Sequence, residues 1–493
     1  MLTSITNDLP LNWQIVRFTE VTTFTKKPKD LRYSEYNEVP FVPMNLIPIA
    51  TLFSKEYILK PSDTLSSGTY FEPGDILLAK ITPSFENGKQ SIIEDLPTPF
   101  GIGTTEIIPI REIEGISDKI YLFYYLLVPD VRALLTARMK GTTGRLRLGT
   151  EALADLEIPL PPLTEQHRIV AKLEVLFTQL DAAVDNLKKA QVQVHRYRQS
   201  VLKAAFEGEL TREWREGHSG ELEPMSVSEV SEMDNLPELP DGWMWTKVKD
   251  ISEFIRGVSY KKNQSSKTPI DDYVPILRAN NINTQLYYED LVYVQREKVK
   301  DEQFVKIYDI IIAMSSGSKH LVGKAAQAYQ DFEGGFGTFC GLVRVSEEVN
   351  KKFIGLFFQS PVYRNEISRL SIGININNLR RENIETMLIP LPPLAEQEQI
   401  VSELERYLSV ADSAEATLDA ELKRAERLRQ SILKHAFSGK LVPQDPNDEP
   451  ASVLLEKIRE EKEPQQPKQP KRKRIKTKVK KPTSAKQLSL PLD

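Results

Sequence analysis

The sequence predicts an α+β fold with two globular domains and two long helices that pair antiparallel. A pseudo-twofold internal repeat relates the halves, and a disordered basic tail follows them. Three observations predict this: segments recurring at one fixed offset, heptad spacing of apolar residues after each recurring Pro-Pro pair, and short strand-like runs mixed with helical stretches elsewhere.

The repeat organises everything else. Ile158–Val170 (IPLPPLTEQHRIV) and Ile389–Val401 (IPLPPLAEQEQIV) agree at ten of thirteen positions, 231 residues apart. The same offset relates Arg196–Leu210 (RYRQSVLKAAFEGEL) to Arg427–Leu441 (RLRQSILKHAFSGKL), with ten of fifteen positions identical. Weaker islands lie upstream. Leu9–Trp13 resembles Leu239–Trp243, Gly74–Ala79 (GDILLA) resembles Tyr308–Ala313 (YDIIIA), and Gly103-Thr104 resembles Gly337-Thr338. The expected order is a first domain at 1–157, a first helix at 158–210, a linker at 211–237, a second domain at 238–388, a second helix at 389–442 and a C-terminal extension at 443–493. A shared frame with differing fronts suits one job done on two targets.

The helices follow from the heptads. After Pro161-Pro162 neither Pro nor Gly appears until Gly208. Ile169, Leu173, Leu176, Leu180, Ala183, Leu187, Ala190, Val194, Tyr197, Val201 and Ala204 step alternately by four and three, an a/d seam. The second half repeats it with Ile400, Leu404, Tyr407, Ala411, Ala414, Leu418, Ala425, Leu428 and Ile432. Glu421 breaks the seam, and Leu422 stands ready to replace it. A single apolar stripe cannot bury itself, so the two helices are expected to pack on each other. The first carries the chain from one domain to the other and the second carries it back.

The globular parts read as mixed. Phe71–Ile81 and Ile307–Met314 each contain a turn and then a buried strand; Val39–Pro43 and Val274–Arg278 look like short strands. Lys119–Val128 and Lys351–Gln359 look helical. Polar, glycine-containing segments follow at Arg138–Gly149 and Ser371–Arg381.

Bulk properties narrow the class. Of 493 residues, 40% are hydrophobic and 27% charged, as in ordinary soluble domains. No apolar run is long enough to span a bilayer, and the N-terminus lacks a signal-peptide pattern. The single cysteine, Cys340, excludes an internal disulfide framework, and these features together point to the cytoplasm. The net charge of −4 hides an asymmetry: Pro464–Asp493 holds ten basic residues and one acidic, which leaves 55 basic and 68 acidic elsewhere. A nucleic acid would therefore have to meet a local basic patch on the body. The tail stretch Lys468–Lys481 (KQPKRKRIKTKVKK) is expected to be disordered when free, and either adds salt-dependent DNA affinity or only solubilises.

The Pro-Pro-Leu-x-Glu-Gln segment, the heptad helix, the Arg-Gln-Ser-[Val/Ile]-Leu-Lys-x-Ala-Phe-x-Gly ending and the duplication together resemble the specificity subunits of type I restriction-modification enzymes. The resemblance covers about residues 1–442. It implies that the two fronts are target recognition domains, each reading one half of a split site in double-stranded DNA. It implies helices that act as a ruler and dock two methyltransferase subunits, with restriction subunits further out. Because the fronts differ, the site should be asymmetric. Inserting four residues into one helix would add ~6 Å and lengthen the unread spacer.

Catalysis is expected on the partner chains, together with S-adenosylmethionine, ATP and magnesium; no cofactor is expected here. The Asn-Pro-Pro-Tyr motif of an adenine methyltransferase is missing. Gly317–Ala325 (GSKHLVGKA) approaches a P-loop but has five residues between its glycines and Ala where Ser or Thr belongs. Five scattered histidines and one cysteine give no zinc pattern. Glu165-Gln166 and Glu396-Gln397 read as helix-start or subunit-docking residues. Two rival readings stand beside this one, a self-contained DNA-modifying enzyme and a coiled-coil scaffold that does not bind DNA.

Base edges are read mainly by Arg, Lys, Asn, Gln, Ser and Thr, and phosphates are held by Arg and Lys. In the first half the candidates are Lys80, Thr82, Ser84 and Lys89 after the buried strand, then Lys140, Thr142, Thr143, Arg145 and Arg147. In the second half they are Arg278, Asn280 and Asn281, then Ser315, Ser316, Ser318, Lys319 and Lys324, then Asn375, Asn377 and Asn378.

Overall fold

The computed structural model describes residues 9–462, apart from 66, 143, 219, 221, 224, 231–235, 317–320 and 373–377. The chain divides into two units, one of residues up to 179 with 427 onward, the other of residues 180–426.

In the first unit, strands Thr22–Phe24, Ile107–Glu112, Ile76–Ala79 and Gln90–Ile92 lie side by side in that order, all antiparallel. A second sheet runs Ile58–Pro61, Glu38–Val42, Gly101–Gly103, Thr69–Phe71, with its central pair parallel. Gln14–Arg17 pairs with Glu157–Leu160, so the domain's two ends meet where the long helix begins. The second unit repeats the plan. Ser252–Arg256, Cys340–Val345, Ile310–Ala313 and Ala325–Gln327 form the first sheet. Tyr273–Leu277 and Gly335–Phe336 are the parallel pair, and Met244–Lys247 closes on Leu388–Leu391.

The apolar runs Ile76–Ala79 and Ile310–Ala313 are buried at every position, as strands covered on both faces must be. Each is anchored by the acid before it. Asp75 accepts the Glu72 amide at 2.8 Å and the Arg111 Nε at 2.7 Å. Asp309 accepts the Lys306 amide at 2.7 Å and Arg344 at 2.6 Å. Burial pushes the Asp75 carboxyl up, and the Glu72 amide and Arg111 pull it back. The expected helices appear as Lys119–Tyr125 and Lys351–Phe357, with the side chains of Asp118 and Asn350 accepting the first free amides.

The long helices are Leu163–Phe206 and Leu394–Phe437, 44 residues each, or ~66 Å. They pair antiparallel: Gln191 donates to Asp419 at 2.7 Å, and Arg198, further along, meets Asp412 and Glu415. In the first unit Arg429 lies over the Phe177 ring at 4.6 Å. Ile169, Leu173, Leu180, Ile400, Leu404, Ala411 and Ala425 are buried as seam residues. Ala183 is exposed in mid-helix, and toward the helix ends Tyr197 and Leu428 depart from the seam, 40% and 49% exposed. There the buried face has moved to Leu202, Ala205 and Phe206, and to Leu433, Ala436 and Phe437. A straight helix drifts ~20° per heptad from a 3.5-residue seam. Its last turns also pack on a globular core, with Phe206 against Phe353 and Phe437 against Tyr121 and Tyr125.

The repeated Glu-Gln pairs are almost wholly buried, which rules out the docking alternative and leaves them as clamps at the helix starts. Glu165 accepts Trp13 Nε1 at 3.0 Å and Gln444 at 2.5 Å. Glu396 accepts Trp243 Nε1 at 2.9 Å, Thr211 at 2.7 Å and Arg215 at 2.6 Å. Gln166 and Gln397 each accept the backbone amide of the helix-capping residue, Asp118 or Asn350, at 2.9 and 2.8 Å. The chain after the second helix also clasps its unit: Asp448 pairs with Arg168 at 2.5 Å, and Ala451 opens a helix by donating to Asn12. The basic stretch Lys468–Lys481 lies outside the described residues.

Candidate nucleic-acid interface

Sheet topology gathers the polar loops of each unit at one edge. In the first unit, Thr22–Phe24 and Ile76–Ala79 are both antiparallel to Ile107–Glu112, so both end at the same side. The first strand releases Lys26, Lys27 and Lys29, all exposed. The second releases Lys80, Thr82 and Ser84, all half-buried. Arg138–Gly149, expected as a loop, is instead a hairpin docked on this edge. Lys140–Thr142 pairs with Arg145–Arg147, Leu148 donates to the Lys80 carbonyl at 2.7 Å, and Thr82 donates to the Leu146 carbonyl at 3.1 Å. Lys80, Lys140 and Arg147 line a cleft of about 740 Å³. Partial burial, and then Arg147 nearby, push the Lys80 ammonium below its ordinary range.

The second unit gathers its loops in the same way. Ser252–Arg256 and Ile310–Ala313 are both antiparallel to Cys340–Val345 and end at one side. That edge carries exposed Arg256, Lys261 and Lys262, half-buried Ser315 and Ser316, and Asn378, which bridges to Ser315. Arg256, Arg380 and Arg381 line a cleft of about 730 Å³ beside Met314 and Cys340.

Other candidates serve the loops themselves. Asn281 is 1% exposed; its amide donates to the Tyr287 and Glu289 carbonyls and accepts the Arg278 amide, which leaves nothing for a base edge. Arg278 and Asn280 turn to Asp290. Lys89 donates to the Met44 carbonyl at 2.8 Å, and Lys324 to Asn283 at 3.2 Å. Thr143, Ser318, Lys319, Asn375 and Asn377 lie outside the described residues. Sequence reasoning missed Lys26, Lys27, Lys29, Arg256, Lys261, Lys262 and Arg380; for the first three the signal was a cluster of lysines just after the strand Thr22–Phe24. Among the described residues, no group of three His, Cys, Asp or Glu is placed to hold a metal ion. No single described helix is long and apolar enough to cross a membrane.

Two units whose first sheets share one topology, each turning a different set of polar loops to the same edge, agree with the family comparison. The model of the type I restriction modification DNA specificity domain matches twice, at residues 10–192 and 240–424. The chain belongs to that family. The EcoKI specificity subunit of Escherichia coli (strain K12) is 42% identical over 222 residues, 45% of this chain and 48% of that subunit. The StySPI specificity subunit of Salmonella potsdam is 44% identical over 208 residues, 42% of this chain and 45% of that one. The chain thus aligns with about half the length of these relatives. A chain from a solved type I R-M system has the same fold, with a TM-score of 0.68 at 21% identity over 88% of this chain and 99% of its own. Each matched domain has its own polar edge, with Lys80, Lys140 and Arg147 at one and Arg256, Arg380 and Arg381 at the other.

Proposed function

We infer that this chain is the DNA-reading subunit of a type I restriction-modification enzyme and performs no chemistry of its own. Residues 1–157 and 238–388 act as target recognition domains, each reading one half of an asymmetric, bipartite duplex site. The observation that carries this reading is the convergence of unlike basic and polar loops at the same edge of two topologically identical sheets. Phosphate contacts by the lysines and arginines fix position, while base-edge contacts specify sequence. The paired helices set the unread spacer and dock two methyltransferase subunits. Those partners and the restriction subunits supply adenine methylation, ATP-dependent cleavage and their cofactors, S-adenosylmethionine, ATP and magnesium. The assembly works in the cytoplasm, where its duplex substrate lies.

The test is a map of methylated adenines in the host genome with and without the gene. The expected result is one split, asymmetric motif that vanishes with the gene. Exchanging residues 238–388 for those of a relative should change only one half of that motif. A map unaffected by deletion would overturn the reading.

A further inference from the structure

The hairpin at the edge of the first domain has more structure than a phosphate-binding loop needs. In an antiparallel ladder, residues two apart and residues directly opposite share a face. The register pairs Lys140 with Arg147 and Thr142 with Arg145. All four side chains therefore stand on one face, and all four are exposed. Gly141 and half-buried Leu146 occupy the other face, and the Leu146 carbonyl accepts the Thr82 amide, which ties the second strand of the hairpin edge-on to the body. Gly141 has φ of 145°, and a Cβ there would lie 2.5 Å from the Arg145 carbonyl oxygen. The close crossing of the two strands thus depends on glycine.

The face has a root and a tip. Arg147 bridges to Ile81, so the Lys140–Arg147 pair sits where the ribbon leaves the sheet. The Thr142–Arg145 pair stands two residues further out, ~7 Å at the rise of a strand. A two-stranded ribbon fits the major groove of B-DNA, which is about 8.5 Å deep. A ribbon of this size brings the tip pair to the base edges while its root stays level with the phosphates. The charges agree with this division. Lys80 and Arg147 line one cleft at the root, two like charges that a phosphate between them would offset. None of Lys140, Arg145 and Arg147 is in an ion pair among the described residues.

We propose that the hairpin Lys140–Arg147 is the major-groove reading ribbon of the first domain, with Arg145 and Thr142 reading bases and Lys80, Lys140 and Arg147 holding the flanking phosphates. The proposal rests on the function inferred above.

The test uses the full chain assembled with its methyltransferase subunits and a pool of duplexes randomised at the target site. Arg145→Ala and Thr142→Ala are expected to relax one or two positions in one half of the motif. They should weaken the preferred duplex by about tenfold to a hundredfold, with the other half still read. Lys80→Ala and Arg147→Gln are expected to weaken all duplexes alike, leave the motif intact and reduce the salt slope by about one each. Hydrogen-exchange protection of the strands Ile76–Ala79 and Ile107–Glu112 reports that the first domain of each variant is folded. If Arg145→Ala and Thr142→Ala keep the complete motif, or if the two sets of variants behave alike, the assignment of the ribbon is overturned. If the unaltered assembly selects no sequence at all, it is the inferred function that fails.

Discussion

The buried carboxylate at the start of the second long helix gives the sharpest stability prediction. Glu396 is wholly buried and accepts three donors: the Trp243 indole, the Thr211 hydroxyl and the Arg215 guanidinium. Arg215 also stacks over Trp243 and donates to the Gly208 carbonyl. Only Arg215 brings a full positive charge. Its removal strands an anion in a dry site, which costs about 3 kcal/mol or more. For a unit the size of residues 180–426, that is a drop in melting temperature of about 6–12 °C. The repeat supplies an internal comparison. Glu165 accepts Trp13 in the same way, but its second partner is the neutral Gln444. Gln444→Ala should therefore cost only about 1 kcal/mol, or about 2–4 °C. The two indole deletions, Trp13→Phe and Trp243→Phe, should cost similar amounts because both donate to a carboxylate at nearly the same distance. Calorimetry of the full chain, with hydrogen exchange to locate the loosened segment, reads all four variants. If Arg215→Ala costs no more than Gln444→Ala, charge compensation by the guanidinium is refuted.

Three further outcomes are expected. Asn281→Ala should lower stability by about 2 kcal/mol through lost loop hydrogen bonds, whereas Asn280→Ala should scarcely change it; equal effects in thermal melts would contradict the loop role given to Asn281. Burial pushes the Cys340 thiol up to about 12, so a thiol reagent at pH 8 should react slowly with the native chain and fully after denaturation. Rapid stoichiometric labelling of folded protein would count against that burial. The Arg168 hydrogen bond holds the Asp448 carboxyl below its ordinary range. A lowered carboxylate value means stabilisation that is complete above the unfolded-state pKa and lost as pH falls through the folded one. Asp448→Asn should therefore lower stability at neutral pH, and its gap to the unaltered chain should close in acid. A gap that widens on acidification would reverse the assignment.

The long helices and the duplication were legible because periodicity needs no tertiary information: Ile169, Leu173, Ile400 and Leu404 mark their seam by spacing alone. Tyr197 and Leu428 share that spacing yet lie exposed, because the helix ends answer to the globular cores they touch. The hairpin was not legible. Its polar residues stand on an exposed face and its glycines look like loop breakers, so nothing alternates in hydrophobicity to betray a strand. Asn281 shows the complementary difficulty. An asparagine in a polar stretch suits a base edge or a backbone carbonyl equally well, and only the positions of Tyr287 and Glu289 decide between them.

The division between what repeats and what differs has a physical logic. Trp13 and Trp243, Glu165 and Glu396, Gln166 and Gln397, Asp75 and Asp309 all recur, and all are buried in hydrogen-bonded settings where one missing partner is costly. The residues at the sheet edge are exposed or half-buried, so a change there costs little stability. Lys26 and Lys27 in one half give way to Arg256 and Lys261 in the other, and the Lys140–Arg147 ribbon has no matching sequence at Ser371–Arg381. A frame held by costly buried contacts tolerates free variation at an inexpensive rim. A chain with two such frames can therefore change the polar edge of one without disturbing the other.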